Sequence, residues 1–516
     1  MENIKDIIEK SRRAQAEWAL LPYKQRAGRL KNAYRAMAAM KEEIAQTICR
    51  ETSKLAIDAL AAEIIPAIMA FPYYIKAGRR IIKPRKIHGG NPLLFNKKST
   101  LVYEPWGVTA IITPWNYPFA IPLSETVTAL LAGNSVILKT ASVTPGCGRM
   151  IGAVMEAADL PAGLFTVIEM PGAEAGPALI NSGVDKLFFT GSAKTGKELM
   201  SLAAARLLPL CLELGGADAA IVRCDADIDR AVWGIIWAGF SNAGQSCGGV
   251  QRVFVRREIY EEFLAKLKQC VETLEPGSSI PGDSFVNRAN SAVSQQNFFA
   301  GLGPMISLKQ KEEVKNQVNQ CLALGAKIAA QSREGSNPEG SSLFYPATVL
   351  TDIKASMPVM NEEIFGPVIG VMPVDGDSEA VAAANNSSYG LTASVWSRDR
   401  GAAKKMAAKI NTGAVTINDH LMSHGLAQTP WGGFGESGFG KTHGEAGFRE
   451  MLRTKVVVDE TLPGAVRDPW WQPYSPEVYS GLNALGDFAG GPGIIKRIRA
   501  VPGLVKFFLR TWKKDI

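Results

Sequence analysis

Apolar residues recur at helical spacing through the first 80 residues, with charged residues between them. The spacing is clearest over 30–48 and 56–74, where it predicts amphipathic helices. A basic stretch that contains glycine and proline, 79–96, interrupts this pattern. Short apolar runs at 100–103 and 107–112 then predict strands.

From residue 135 onward, short apolar runs typical of buried strands alternate with helical segments. The runs are 135–138, 165–169 and 186–189, and the helical segments that follow them are 146–158, 173–182 and 194–205. A second series between about 215 and 430 has runs at 251–255, 368–373 and 393–396 and helical segments at 260–273, 314–323 and 380–385. This alternation predicts an α/β fold with parallel sheets. Loops are predicted at 275–297 and 332–342, and a last strand at 454–459.

Composition narrows the class of protein. Of the 516 residues, 46% are apolar and 21% are charged, which excludes a mainly disordered or fibrous chain. The apolar runs are shorter than the 18 or so residues of a spanning helix, so we do not expect one. Seven cysteines without a CxxC pair favour a reducing compartment over a disulfide framework or a zinc site, and we expect no metal.

The net charge of +8 is concentrated in one segment. Residues 494–516 hold seven basic side chains and one acidic side chain, Asp515. The rest of the chain is nearly neutral, which argues against a nucleic-acid partner.

The same segment has an amphipathic pattern. Projected at 100° per residue, the apolar positions fall within about 140° of arc, with most basic residues opposite. These positions are 494, 495, 498, 501, 505, 508, 509, 512 and 516. Leu504 and Phe507 fall outside the arc, and Pro502-Gly503 is expected to break or kink the helix. A helix on a membrane surface and a helix docked on protein both fit this pattern.

Two motifs carry candidate catalytic residues. Cys247 lies among small residues in GQSCGG, where a thiol can meet a substrate, although a lone cysteine is more often a small buried hydrophobe. Glu213 ends the apolar run 207–212 and precedes two glycines, which suits a general base or, equally, a strand end that faces solvent.

Two further motifs suit anion binding. Asn116 in PWNYP could donate its amide N–H to an oxyanion, or it could form an ordinary turn bounded by prolines. FTGSAKTG, at 189–196, lies between a predicted strand and a predicted helix, where free N–H groups suit a phosphate. A purely structural turn is the alternative, since this is not the GxGxxG fingerprint.

Six motifs taken in order give a stronger indication than any one of them. They are PWNYP, FTGSAKTG, ELGG at 213–216, GQSC, EEIFGP at 362–367 and PWGGF at 430–434. Together they resemble the signature set of the NAD(P)-dependent aldehyde dehydrogenase superfamily, over about residues 10–460.

The resemblance implies the catalytic roles. Cys247 matches the nucleophile, whose thiolate adds to the aldehyde carbon. Asn116 and the backbone N–H of Cys247 match the groups that hold the oxyanion. Glu213, which lies 34 residues before Cys247, matches the base that activates water, so a free carboxylic acid is the expected product.

The resemblance also implies residues that bind NAD or NADP. They are Trp115, Lys139, Ser142, Gly191, Ser192, Gly196, Glu363 and Phe365. Within that set, Lys139 matches the lysine at the adenosine ribose, and Glu363 matches the residue at the nicotinamide ribose. Ser142 stands where the family commonly has a glutamate that would repel a 2′-phosphate, so we expect either the use of both cofactors or a preference for NADP.

Two other departures from the family have no assigned role. Glu125 stands where many members have lysine. The chain is also longer than usual between Cys247 and Glu363, with the added residues expected at 281–300.

The implied architecture is aldehyde dehydrogenase-like. It has a Rossmann-like cofactor domain (1–83 and 106–214), an α/β catalytic domain (215–430) and a small β oligomerisation arm (84–105 and 431–460), followed by a tail (461–516). In the family the arm hairpin pairs with strand 454–459 of a neighbouring subunit, so a homodimer or homotetramer is expected. We expect a cytoplasmic enzyme, peripheral at the inner membrane face if the tail binds lipid.

The implied reaction oxidises an aldehyde to its acid through a thiohemiacetal and a thioester on cysteine. A hydrophobic aliphatic or aromatic aldehyde is the favoured substrate. The alternatives are a semialdehyde dehydrogenase for a small anionic substrate, a thiol-esterase that needs no cofactor, and a non-catalytic binding or structural protein on the same fold.

Overall fold

The computed structural model describes most of the chain, in residues 3–87, 94, 96–277, 301–333 and 343–514. The added length at 281–300, and most of the loops predicted at 275–297 and 332–342, lie outside the described residues. The chain forms two compact units, Met1–Lys83 with Tyr103–Arg453 and Pro84–Val102 with Thr454–Ile516. The stretch 431–453 therefore belongs to the larger unit, and its assignment to an arm was wrong.

The larger unit contains two sheets surrounded by helices. Its α-helices are Ile4–Leu20, Tyr23–Ala39, Lys41–Thr52, Ala56–Ala59, Ile65–Ile81, Ala120–Ala132, Pro145–Glu156, Gly172–Ser182, Ala193–Ala204, Ile228–Phe240, Tyr260–Glu272, Leu308–Ala323, Pro358–Asn361, Asp377–Asn385, Arg400–Ala407, Met422–Gly425 and Gly444–Glu450. A π-helical turn, Leu60–Ile64, links two of them.

The strands are numbered in chain order across both units. They are β1 Arg85–Ile87, β2 Lys97–Pro105, β3 Val108–Ile112, β4 Ser135–Lys139, β5 Phe165–Val167, β6 Lys186–Thr190, β7 Leu210–Glu213, β8 Asp218–Val222, β9 Val250–Arg256, β10 Lys327–Gln331, β11 Thr348–Thr351, β12 Val368–Val374, β13 Tyr389–Gly390, β14 Thr392–Trp396, β15 Ala414–Ile417, β16 Phe434–Gly435, β17 Gly438–Phe439 and β18 Leu452–Glu460.

The first sheet has the strand order β17-β7-β6-β3-β4-β5 and is parallel except for β17. Helices cover both faces, so β3, β4 and β6 are buried along their whole length and appear in the sequence as continuous apolar runs. The register pairs Ile112 with Lys139 and Thr190 with Glu213. The carboxyl ends of these strands therefore meet at one edge, where ligands bind in open α/β sheets.

The second sheet has the order β10-β11-β12-β9-β8-β14-β15, and β10 is its antiparallel edge. A separate apolar core fills the space between this sheet and its helices, and Ile235, Phe254, Phe263 and Ile369 are among its fully buried members. Cys247 lies three residues before β9. The predicted α/β fold with parallel sheets is confirmed.

The smaller unit contains the three-stranded sheet β1-β2-β18 and two helices, Pro476–Gly490 and Ile494–Leu509. Strand β18 belongs to the same chain as β2, with Lys97 Nζ 2.6 Å from Glu460 Oε2. The expected pairing of this hairpin with a strand from another subunit was therefore wrong: the two long strands lie side by side within one chain.

The sequence predicted a break or a kink at Pro502, and no break occurs there. Helix Ile494–Leu509 continues through Pro502, because Ala500 before it and Leu504 and Phe507 after it are all buried on the same side. Packing on both sides of the proline holds the helix together despite the missing N–H.

One stretch in the described part of the chain, Ala56–Ile81, is long and apolar enough to cross a membrane by length and composition. Its Phe71, Tyr74 and Ile81 side chains belong to the core of the larger unit. This burial is typical of a core helix.

Candidate active site

A cavity of about 1040 Å³ opens at the carboxyl edge of the first sheet, within the larger unit. Predicted site residues that line it are Trp115, Asn116, Lys139, Ser142, Gly191, Ser192, Glu213, Cys247, Glu363 and Phe365. Gly196 is not among the lining residues. A Cβ at that position would lie 2.6 Å from Leu214 Cδ2, so Gly196 allows its helix to approach the end of β7.

Cys247 follows a tight turn with an unusual backbone. Asn242, Ala243 and Gly244 all have left-handed φ values, of 52°, 54° and 69°. Such conformations are costly outside glycine and persist only where their surroundings hold them. Here the Asn242 amide donates to the carbonyls of Asn116 and Gln245, at 3.1 Å each. The turn thus places the thiol beside the Asn116 loop.

The surroundings of Cys247 disfavour its thiolate form. Burial raises its pKa above the ordinary value, and the nearby carboxyls of Glu363, Asp218 and Glu213 raise it further. The backbone N–H of Gly248 acts in the opposite direction. Cys247 therefore needs a base to take its proton before it can attack.

Asn116 is held through its backbone as well as its side chain. Its Nδ2 donates to the Gln245 carbonyl at 3.1 Å, and its carbonyl accepts from Lys54 Nζ at 2.6 Å. Its Oδ1 is buried and has no hydrogen-bond partner among the described residues. The second N–H of this fixed amide is available to an oxygen on the substrate.

The lysine that holds Asn116 was missed by the sequence reasoning. Lys54 and Glu63 form an almost fully buried ion pair at 2.8 Å, and Glu63 also accepts from the backbone N–H groups of Phe119 and Ala120. The pair therefore anchors the loop at its middle, through Asn116, and at its C-terminal end. The sequence pattern did not mark Lys54 or Glu63 as buried, because single charges in an amphipathic region usually face solvent.

Glu213 ends β7 with its carboxyl group buried. Burial raises its pKa well above the ordinary value, the Glu125 carboxyl raises it further, and Lys441 lowers it. A Cβ at Gly432 would lie 2.7 Å from Glu213 Oε1, so glycine is needed there. A buried carboxyl with a raised pKa suits a general base.

Glu125 is a second buried carboxyl in the same region. Thr190 Oγ1 donates to its Oε1 at 3.5 Å, and its Oε2 has no hydrogen-bond partner among the described residues. Burial raises its pKa to about 8. The departure from lysine at this position thus places a titrating acid beside the candidate base.

One end of the cavity is aromatic and acidic. The rings of Trp115 and Phe365 meet edge to face with centroids 5.4 Å apart. Glu363 Oε1 accepts from the Gly216 N–H at 3.2 Å, and burial raises the Glu363 pKa to about 7. A planar ring and a ribose hydroxyl are the groups such a surface would receive.

The other end is suited to a phosphate. Ser192 caps helix Ala193–Ala204 by accepting from Thr195 N at 3.3 Å, which leaves the helix N-terminus at the cavity. Lys139 Nζ donates to Ser142 Oγ at 3.3 Å, and burial lowers the Lys139 pKa. A Cβ at Gly191 would lie 2.6 Å from the Phe189 ring, so glycine is required in this turn. Together the two ends fit a dinucleotide.

An aromatic cluster packs against Gly248, the residue after Cys247, and was only partly predicted, through the PWGGF motif. A Cβ at Gly248 would lie 2.7 Å from Trp431 Cη2 and 3.1 Å from Leu421 Cδ2. His424 stacks edge-on to Trp431, with centroids 4.9 Å apart, and burial lowers the His424 pKa to about 4. These side chains are not among those that line the cavity, so they support Gly248 from behind.

The fold and the cavity define the class of a dinucleotide-dependent oxidoreductase. The sequence model of the aldehyde dehydrogenase family matches residues 1–457, and the chain belongs to that family. It is thus an aldehyde dehydrogenase that uses NAD or NADP, as its motifs predicted.

Named relatives and solved structures agree with this family. The chain is 34% identical to a 4,4′-diapolycopene aldehyde oxidase of Methylomonas sp, over 95% of this chain and 87% of that one. It is 33% identical to a provisionally named NADP+ succinate-semialdehyde dehydrogenase of Mycobacterium ulcerans, over 91% and 88% of the two chains. The Escherichia coli lactaldehyde dehydrogenase structure superposes with a TM-score of 0.80 at 30% identity, over 89% and 91%.

A second structural relative was solved with a dinucleotide. The structure of Staphylococcus aureus betaine aldehyde dehydrogenase in complex with NAD+ has a TM-score of 0.80 and 30% identity, over 91% of this chain and 89% of that one.

Proposed function

We propose that this enzyme oxidises a hydrophobic aldehyde to the free carboxylic acid, with Cys247 as nucleophile. The observation that carries the proposal is the meeting of Cys247, Asn116 and Glu213 in the same cavity as the residues suited to a dinucleotide. A thiol, an amide donor and a buried carboxyl are the groups that acyl chemistry on sulfur needs.

The first step is addition of the thiolate to the carbonyl carbon. Glu213, whose raised pKa makes it a good proton acceptor, takes the thiol proton as the C–S bond forms. The carbonyl oxygen becomes an oxyanion, which the Cys247 backbone N–H and the Asn116 amide stabilise. The product of this step is a thiohemiacetal on Cys247.

The second half of the reaction releases the acid. Phe365 and Glu363 at one end of the cavity and Lys139 and Ser192 at the other would hold NAD(P)+, which when bound would accept the hydride and so leave a thioester on Cys247. Glu213, which has passed its first proton to solvent, then removes a proton from water, and the hydroxide displaces the Cys247 thiolate. The carboxylic acid leaves, and the thiolate is ready for the next aldehyde.

The surroundings of Cys247 support an apolar substrate. Leu214 and Ile364 line the cavity, and Trp431 packs against Gly248, the residue after Cys247. The name of the Methylomonas relative, a 4,4′-diapolycopene aldehyde oxidase, points the same way. The Mycobacterium name favours the alternative, a semialdehyde with a carboxylate. Against it, the two lysines among the described residues that line the cavity are already engaged, Lys139 with Ser142 and Lys309 with Glu313.

Self-association into a homodimer or homotetramer is a further part of the proposal. In the larger unit, Trp233 and Trp237 are exposed on helix Ile228–Phe240. In the smaller unit, β18 is an edge strand with exposed Val456, Val457 and Val458. Large apolar side chains clustered on a surface mark interfaces. Sedimentation velocity tests this: a monomer at micromolar concentration would contradict it.

A substrate panel tests the function. Aliphatic aldehydes of increasing chain length, an aromatic aldehyde and succinate semialdehyde are compared with NAD+ and NADP+, following absorbance of the reduced cofactor. We expect kcat/KM to rise with chain length and Cys247→Ala to reduce kcat by more than a thousandfold. Cys224→Ala, at an exposed cysteine, is the matched control and should keep full activity. A preference for succinate semialdehyde would contradict the apolar substrate, and a fully active Cys247→Ala would contradict the mechanism.

A further inference from the structure

The two helices of the smaller unit form a hairpin and pack closely against each other along one line of contact, called the seam below. The Phe507 ring lies directly over Gly481, where a Cβ would be only 2.2 Å from the ring. Gly503 meets Ala484 in the same way, and Leu504 is buried beside it. Two ion pairs also link the helices, from Lys496 to Asp487 at 2.9 Å and from Lys506 to Glu477 at 3.3 Å. The hairpin is thus packed through one face of helix Ile494–Leu509.

A second apolar face of the same helix remains exposed. Ile494 is 73% exposed, Ile498 63% and Val505 54%, and Val501 and Leu509 are exposed beside them. At 100° per residue these five side chains span about 80° of arc, centred about 130° from the buried seam. Leu504 and Phe507, which fell outside the predicted apolar arc, are the seam residues. The helix therefore has two apolar faces, and only one is covered.

Basic side chains border the exposed face. Arg499, Lys513 and Lys514 are exposed. Arg510 has a structural role, since it donates to the carbonyls of Pro469, Trp471 and Pro473 at 2.6 to 2.8 Å. It fixes the aromatic segment below the helix, in which Trp471 and Tyr474 are exposed. The surface thus combines an apolar stripe, exposed aromatic rings and exposed positive charge.

We propose that this face docks on the surface of an anionic lipid bilayer. A 16-residue helix lying flat presents about 24 Å of apolar stripe to the acyl chains, while the bordering cations meet lipid phosphates. The charge selects lipid over a second copy of this chain, because two such faces would bring like charges together. Four basic residues within the helix prevent it from spanning the bilayer. Docking places the enzyme at the inner face of a membrane, where hydrophobic aldehydes dissolve.

Vesicle flotation of the full chain tests the proposal without using activity. Vesicles of phosphatidylcholine with 30% phosphatidylglycerol are compared with pure phosphatidylcholine. The stripe variant is Ile498→Ser/Val505→Ser/Leu509→Ser. Its matched control is Leu20→Ser/Met69→Ser/Met200→Ser, at exposed apolar positions of the larger unit. The charge variant is Arg499→Gln/Lys513→Gln/Lys514→Gln, and thermal unfolding shows that each variant is folded.

The expected result is binding to the anionic vesicles that falls more than tenfold in the stripe variant and stays within twofold in the control. The charge variant should lose about fivefold per residue removed, since each cation near an anionic surface contributes about that factor. Absence of binding by the folded full chain overturns the proposal. So does equal loss in stripe and control variants, or a stripe variant that changes only the sedimentation coefficient, which would assign the face to a second copy.

Discussion

Replacing Glu125 by Gln should move the pH dependence of turnover to lower pH. Glu125 and Glu213 are both buried, and the Glu125 charge raises the pKa of Glu213. Glu213 must be ionised to act as a base on water. In the native enzyme the two adjacent carboxyls lose their protons in coupled steps, so Glu213 becomes fully ionised only at the higher pH of the second step. The amide of the Glu125→Gln variant cannot ionise and has nearly the shape of the native side chain, so Glu213 should ionise at lower pH.

The size of the shift follows from the geometry. Thr190, which contacts Glu125, is paired in register with Glu213 on the adjacent strand. Adjacent strands lie about 4.8 Å apart, so the two charges are separated by roughly 7 Å. At an effective dielectric constant of about 20, that separation gives about 2 kcal/mol as an upper bound. Partial neutralisation of Glu125, whose pKa is about 8, reduces the effect to about one pH unit, or about 1.4 kcal/mol.

The assay is the pH profile of kcat between pH 6 and 10 under conditions where a burst of reduced cofactor shows that thioester hydrolysis is rate-limiting. The acid limb should move down by about one unit in Glu125→Gln, with kcat up to tenfold above native on that limb and equal at its plateau. Glu125→Asp keeps the charge and should keep the native profile. An unchanged limb in a folded Glu125→Gln, or a shift to higher pH, would refute the coupling.

Two further predictions concern the cofactor end and the Asn116 loop. Ser142→Glu should raise the NAD+ to NADP+ ratio of kcat/KM at least tenfold, through repulsion of the 2′-phosphate, while Ser142→Ala should change it less than threefold. An unchanged ratio would show that position 142 does not face the 2′-phosphate of NADP+. Lys54→Met should lower the free energy of unfolding in urea by about 3 to 5 kcal/mol, because Glu63 stays buried without its partner. The control Lys404→Met, at an exposed lysine, should change the free energy of unfolding by less than about 0.5 kcal/mol. Equal effects of the two substitutions would show that stability does not depend on the Lys54–Glu63 pair.

The strands of the first sheet were predictable because the sheet is buried on both sides. Strands β4 and β6 differ from their predicted runs by one residue, since a fully buried strand is an apolar run with polar ends. Helix Ala120–Ala132 was missed for the opposite reason. Nearly every side chain of this helix is buried, including the polar Glu125, Thr126 and Thr128, so no amphipathic period is visible in its sequence.

The site was predictable where its residues lie in ordered motifs, and not where function depends on a distant contact. Cys247, Asn116 and Glu213 lie in short motifs whose order is characteristic of the family. Lys54 is placed by its contact with Glu63, and Glu125 by its contact with Thr190, which is 65 residues away in the chain. Neither contact partner is marked in the sequence. In the same way, the projection of the last helix at 100° per residue identified its apolar positions. It could not show which of them would pack against Gly481 and which would stay exposed.

Mass spectrometry of the native enzyme quenched within the first turnover tests most directly whether Cys247 carries the acyl group. The enzyme is mixed with NADP+ and a long-chain aldehyde and then digested at low pH. We expect an acyl group on the peptide that contains Cys247, and its loss in Cys247→Ala. An acyl group on another residue, or undiminished turnover without any acyl-enzyme, would contradict the role of Cys247.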